Sequence, residues 1–199
     1  PLLTVGLVAK RLFLNSREFQ EKLNSSGFPL VDINQGLSGK QIEKLKKILK
    51  ENTSVRNYIF TVSSTLRENV IGYFRQEGLL GSEDWAVVDS GWNGRLQHTM
   101  QVLLSDCGWQ GTTKGYYFGV LDKYNLLGQK KAFLFSPQKP DYEVWCRPFT
   151  FIFEMLTSAT HGITQTYSTD SSGQYVPVLS ETNNESFTSD VKALRLGAD

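Results

Sequence analysis

Up to Gly78 the apolar positions recur at helical spacing, and from Trp85 onward they change to short continuous or alternating runs. Asn15 followed by Glu18 reads as a capping pair and predicts a short helix to about Leu23, broken by Ser25-Ser26-Gly27. Ser38 and Gln41 form a second pair, ahead of Ile42, Leu45, Ile48 and Leu49 on one helical face. Lys40, Lys44, Lys46, Lys47 and Lys50 are interleaved with them. They read as a solvated face, the alternative being a surface for acidic lipid or glycan. Ser54 opens a third helix, whose stripe of Val55, Tyr58, Ile59, Val62, Leu66, Val70 and Phe74 runs to Glu77-Gly78, where the glycine suits the position just past a helix end. The last two helices are expected to form an antiparallel pair.

Ala86-Val87-Val88 is a short apolar run that predicts a strand buried on both faces. After a glycine-punctuated loop, Leu96, Met100, Leu103, Leu104 and Cys107 trace the inward stripe of a helix, with Gln97 and Gln101 off it. Tyr116–Val120 and Ala132–Phe135 read as the next strands. Strand, helix and strand in this order predict a βαβ unit with parallel strands. Residues 149–159 fit both a strand and a helix, and the helix is favoured. Ile163–Tyr167 and Tyr175–Leu179 predict a hairpin. A polar tail follows from Asn183, with a final helix from Ser189. The expected class is α/β: a mostly parallel, Rossmann-like sheet with an N-terminal helical pair. Residues 1–80 form the helical part of one domain, 81–182 its α/β core, and 183–199 the tail.

Composition narrows this picture only slightly. A hydrophobic share of 40% and a charged share of 21% are globular values. The net charge of +1 argues against nucleic acid as a partner. The two cysteines, Cys107 and Cys146, are expected to be reduced, and no Cys/His cluster points to zinc. No apolar run approaches the roughly 20 residues that cross a bilayer, so the expected address is cytoplasmic. The chain starts at Pro1 and is apolar over 2–9, as expected of a piece of a longer protein.

The candidate chemistry gathers in Asp89-Ser-Gly-Trp-Asn-Gly-Arg-Leu-Gln97. A carboxylate at the carboxyl end of a strand faces the crevice where open α/β sheets bind ligands. The helix start beyond it offers free N–H groups to an anion. Asp89 is therefore a candidate catalytic or hydroxyl-binding residue; the alternative is a simple turn cap. Gly91 and Gly94 permit positive φ and close approach of a ligand around Trp92 and Asn93. Trp92 is placed to stack on a sugar or base, the alternative being a plug of the core; Arg95 is placed to hold phosphate, and Gln97 to hydrogen-bond the ligand. His161 at a helix end, and Glu154 within an apolar run where a carboxylate is costly unless paired, are the further acid/base candidates. His98 is the other histidine. The metal question is open, with a divalent ion such as Mg²⁺ as one cofactor choice. The sequence has no GxGxxG, GxxxxGK[ST], GxSxG or HExxH.

In order, Val87-Val-Asp-Ser-Gly-Trp-Asn-Gly-Arg-Leu-Gln97, Gly115-Tyr-Tyr-Phe-Gly119, Phe153-Glu-Met-Leu-Thr-Ser-Ala-Thr-His-Gly162, Tyr167 and Val176-Pro-Val-Leu179 form a series. It resembles the C-terminal region of bacterial haloacid-dehalogenase-like hydrolase proteins of capsule and O-antigen biosynthesis. Those carry D-x-G-W-x-G-x-x-Q, then G-Y-Y-x-G, then E-L-x-x-A-x-x-G before a Tyr and a Pro-Val. The resemblance implies a domain handling a phosphorylated sugar or a nucleotide sugar, by glycosyl or phosphoribosyl transfer or phosphoester hydrolysis, with a hydrolase domain upstream. The family's Asp-x-Asp nucleophile motif does not occur in this chain. The alternative is a non-catalytic glycan- or protein-binding module attached to a hydrolase.

Overall fold

The computed structural model describes residues 2–81, 84–121, 125–138, 152–159 and 161–181. Cys146, the predicted tail and its final helix lie outside these residues, as does the start of the 149–159 segment. The chain divides into two compact units, Pro1–Glu68 and Asn69–Asp199.

The first unit is helical: α1 (Val5–Arg11), α2 (Ser16–Ser25), α3 (Gly39–Glu51) and the opening turns of α4 (Thr53–Gln76). Local chemistry sets each start. Thr4 caps Leu7, Asn15 caps Glu18, and Ser38 and Gln41 form a reciprocal capping box. Such caps satisfy N–H groups that have no partner inside the helix, and each is worth about 1 kcal/mol. At the end of α2, Gly27 and Phe28 donate back to Asn24 and Leu23, which closes the helix. The amphipathic stripes then meet in one cluster that includes Val5, Phe19, Leu23, Phe28, Leu45, Ile48 and Val55. Full burial of each such side chain contributes about 1.5–3 kcal/mol. The lysines of α3 are exposed, as a solvated face requires. Helix α1 was not read from the sequence; Gly6 N–H donates to Ile33 O and Leu37 N–H to Leu3 O, so it is held by backbone pairing to the 28–37 stretch.

The second unit holds a three-stranded parallel sheet, β1 (Ala86–Asp89), β2 (Lys114–Gly119) and β3 (Gln129–Phe135), in the order β1-β2-β3. Helix α5 (Arg95–Asp106) connects the parallel pair β1 and β2. A mixed α/β fold with a parallel sheet is thus present. The hairpin is present too, as the antiparallel pair β4 (Thr164–Thr169) and β5 (Tyr175–Leu179). It docks on the end of α4: Asn69 Nδ2 donates to Tyr167 O, Gln76 exchanges hydrogen bonds with the Tyr175 backbone, and Tyr73 stacks on Tyr167 at 4.2 Å. Helix α4 ends as read, with Gly78 at φ +77 and Leu79 N–H returning to Phe74 O. Residues 152–157 are helical. Among the described residues no helix is long and apolar enough to cross a membrane.

Two expectations fail. Strand β1 is not buried on both faces: Val88 is 84% exposed. The sheet carries α5 on one face, and Val88, Tyr116 and Phe133 project from the other. Helix α5 is also turned from its predicted stripe. Leu96 is exposed, whereas Gln97, Gln101 and Leu104 are buried. The glutamines go inward because their amides pair with backbone groups at the starts of β2 and β3 and with the Tyr117 phenol. Gln97 Nε2 donates to Thr113 O at 2.8 Å and Gln129 O at 2.9 Å, and its Oε1 accepts from Tyr117 OH at 2.8 Å. Gln101 Oε1 accepts from Thr113 N–H at 2.7 Å, and its Nε2 donates to Gly111 O. Space for Gln97 comes from two glycines: a Cβ on Gly115 would lie 2.4 Å from its Oε1, and one on Gly128 2.4 Å from its Nε2.

Gln97→Leu leaves the Tyr117 phenol without its acceptor and removes one hydrogen bond each from Thr113 O, which keeps Gln129 N–H, and Gln129 O; it is expected to destabilise the protein by about 2 kcal/mol, since each buried orphan costs about 1–3 kcal/mol. Leu96→Gln should cost less than about 0.5 kcal/mol, as exposed substitutions do. Urea denaturation midpoints of the two variants check this; the reverse ranking would restore the predicted stripe.

Candidate functional site

Strand β1 ends at Asp89, whose Oδ1 accepts Gly91 N–H at 2.7 Å. This is the turn-capping bond that the sequence offered as the alternative role for Asp89. The carboxylate also lines a cavity of about 600 Å³ at the carboxyl end of the edge strand. Ser90, Tyr116, Phe118, Phe133 and Phe153 are among the other lining residues. Gly91 does not use a positive φ, contrary to expectation; its small size matters because a Cβ there would lie 2.9 Å from Asp89 Oδ1. Gly94 does, at φ +69, as the left-handed residue that starts α5 without a side-chain cap.

Beyond Asp89 the loop serves the protein more than the cavity. Trp92 stacks on Phe135 with centroids 5.5 Å apart and meets Phe118 edge-on at 5.9 Å. Its Nε1 donates to Glu154 Oε1 at 3.1 Å, and its carbonyl accepts from Leu121 N–H. Trp92 is thus a strut that joins the loop to β3 and to the 152–157 helix, not a lining residue of the cavity. Glu154 is exposed and engaged with the indole, so it is not the buried carboxylate that its apolar run suggested. The physical reason is that its helix turns Phe153 onto Phe118, with rings stacked at 3.7 Å, and leaves Glu154 outside. Gln97 spends both amide hydrogens and its oxygen inside the protein and offers a ligand nothing. His161 is exposed, its Nδ1 beside Gly162 O, and does not line the cavity. His98 Nδ1 accepts from Leu127 N–H, which ties α5 to the approach to β3.

Two features at the start of α5 bear on anion binding. Arg95 is exposed at its first position, and the first turn holds no acidic residue. Lys130 of β3, which sequence reasoning missed, lays its side chain against Gly94: a Cβ there would lie 2.9 Å from Lys130 Cε. Asn93 Oδ1 is buried without a hydrogen-bond partner, which is uncommon in a folded chain and marks a place for a donor. Among the described residues no group of three or more His, Cys, Asp or Glu could hold a metal ion, and Asp89 is a lone carboxylate in the cavity. These residues do not build a Mg²⁺ cage.

The aromatic lining was also missed as a site. Gly115-Tyr-Tyr-Phe-Gly119 was read only as a strand, yet its alternation places Tyr116 and Phe118 on the face away from α5 and Tyr117 beneath it. Burial, and then the Asp89 charge, push the Tyr117 phenol from 10.0 up to about 12. The fold thus favours the neutral phenol. That stabilisation is complete below pH 10.0, the ordinary value, and is lost as pH rises through about 12. Asp89→Asn keeps the turn acceptor but removes the charge. It should lower the Tyr117 midpoint while leaving it above 10.0, since burial is the larger cause. Phenolate absorbance titration against a Tyr117→Phe blank reads this directly, and an unmoved midpoint would show that the two groups do not sense each other.

Compared with known proteins, the chain matches no family model, and no curated protein matches it in sequence.

Proposed function

We propose that this chain is the sugar-phosphate- or nucleotide-sugar-handling α/β domain of a bacterial, cytoplasmic surface-polysaccharide biosynthesis protein, with a Rossmann-like core and an N-terminal helical pair. One observation carries the reading: Asp89 ends the first strand of a parallel βαβ unit and lines a cavity of about 600 Å³ there. Ligands of open parallel sheets bind outside the carboxyl ends of the strands, and this volume is that of a small-molecule site. The resemblance of the Asp89 loop to the haloacid-dehalogenase-like polysaccharide proteins supplies the substrate class. Asp89 accepts hydrogen bonds from sugar hydroxyls, and its free lone pairs equip it to take a proton in glycosyl transfer. Arg95, Lys130 and the uncapped start of α5 offer positive charge to a phosphate. Trp92 and Glu154 act by position, holding the loop and the 152–157 helix together.

A second reading, a non-catalytic glycan-binding module beside a hydrolase domain, is favoured by a separate observation. Asp89 is the one carboxylate among the cavity's described lining residues, and glycosidic hydrolysis ordinarily uses a pair.

A thermal-shift screen with nucleotide sugars and sugar phosphates, paired with a turnover assay on each hit, separates the readings. The first expects a stabilising shift, product formation, and loss of both in Asp89→Ala with the melting temperature of the free protein within a few degrees. Binding without turnover selects the module, and an Asp89→Ala protein that barely folds would make the carboxylate structural.

A further inference from the structure

We infer that the cavity beside Asp89 takes the uncharged ring of a saccharide and leaves any phosphate outside. The inference rests on the sugar-handling reading and narrows it to a subsite. Its first support is charge. Among the described lining residues Asp89 is the one carboxylate, and no lysine or arginine accompanies it. A phosphate brought against Asp89 would meet a carboxylate, and the cation at the rim, Lys131, is not among the described lining residues. A sugar hydroxyl meets an acceptor whose second oxygen remains after Oδ1 has bound Gly91 N–H.

The second support is the floor. Parallel sheets ordinarily bury both faces. Here Val88 is 84% and Phe133 81% exposed, and both line the cavity with Tyr116 and Phe118. An open aromatic surface suits the apolar C–H face of a pyranose. The tyrosine ring already accommodates a polarised donor from the chain itself, with Lys131 Nζ 5.9 Å from its centroid at the rim. The third is size and polar decoration. An ammonium headgroup also pairs with aromatics and a carboxylate. It needs neither about 600 Å³ nor the hydroxyls of Ser90 and Thr157; Thr157 Oγ1 donates to Phe153 O and keeps an acceptor for a polyol.

The division of labour follows. The ring lies on Tyr116 and Phe133 with Asp89 at its hydroxyl edge, and a phosphate, where the ligand carries one, sits outside the cavity.

Saturation-transfer NMR on the full chain tests this with maltotriose, galactose and N-acetylglucosamine, with the 1-phosphates of the two monosaccharides, and with tetramethylammonium. At least one uncharged saccharide is expected to bind, and Phe133→Ala and Asp89→Asn should each weaken it by roughly tenfold, the scale of one aromatic or charge-assisted contact. Phe133 is exposed and Asn preserves the turn acceptor, so circular dichroism of both variants should match the parent. Phosphorylated sugars that bind independently of Phe133 and Asp89 while the uncharged ones do not would overturn the ring subsite and leave the sugar-phosphate reading standing. Tetramethylammonium as the one bound probe would overturn both. Silence from every saccharide, phosphorylated or not, would do the same.

Discussion

The amide of Gln97 is the constraint on which the α/β unit depends. A side chain with 0% exposure at the middle of a small domain ordinarily belongs to a leucine or a phenylalanine. Here it belongs to a group with two donors and an acceptor, and all three are used. The Thr113 carbonyl just ahead of β2, which also accepts Gln129 N–H, and the Gln129 carbonyl at the start of β3 both lie within reach of α5. Gln97 pairs with both at once and thereby fixes the azimuth of α5 relative to two strands. Hydrophobic packing alone tolerates rotation of a helix; a three-point hydrogen-bonded amide does not. Gln101 repeats the device one turn later on the Thr113 N–H.

That azimuth determines the site. With Gln97 inward, Leu96 faces outward into the cavity lining and Arg95 is exposed at the helix start. Tyr117 is pulled under α5 by its bond to Gln97, so its neighbours Tyr116 and Phe118 must project from the opposite face. The cavity therefore wraps the edge strand: its aromatic floor comes from one side of the sheet and its carboxylate from the strand end. The same tie explains two glycines, one ahead of the aromatic run and one ahead of β3. Gly115 and Gly128 are small because the Gln97 amide occupies the space of their missing methyl groups.

Much of this fold was legible in the chain, and the legible parts share a cause. Caps, glycine stops and the strand order of a βαβ unit are local chemistry, visible within a few residues: Asn15 with Glu18, Ser38 with Gln41, Gly78. The α5 stripe was misread because apolar periodicity assumes that the buried face is the apolar one. Leucines at 96 and 103 outvote two glutamines in any hydrophobic count. The carbonyls that draw the glutamines inward lie 16 and 32 residues away in sequence. A pair of glutamines at i and i+4, followed by a glycine-flanked strand, was the available signal. The burial of β1 was misread for the complementary reason: a run of Ala-Val-Val says that a strand forms, not that both its faces find cover.

The candidate site divides along the same line. Asp89 and Gly94 were found because a strand-to-helix turn announces them locally. Trp92, Glu154 and Gln97 were assigned to a ligand because their polar or aromatic groups had no visible partner in the sequence; each found one in the fold. Tyr116, Phe118, Phe133 and Phe153 went unnoticed because aromatic residues in strands read as core. The exposure of Phe133 contradicts that reading, and the contradiction carries information. A large apolar side chain held open to solvent on a parallel sheet is costly to the free protein, by the same burial energetics that assemble the first unit around Phe19 and Leu23. Covering that surface with a ligand recovers part of the cost. In the proposed ring subsite the aromatic floor supplies cover and Asp89, with one oxygen committed to its turn, supplies an acceptor that orients the ring.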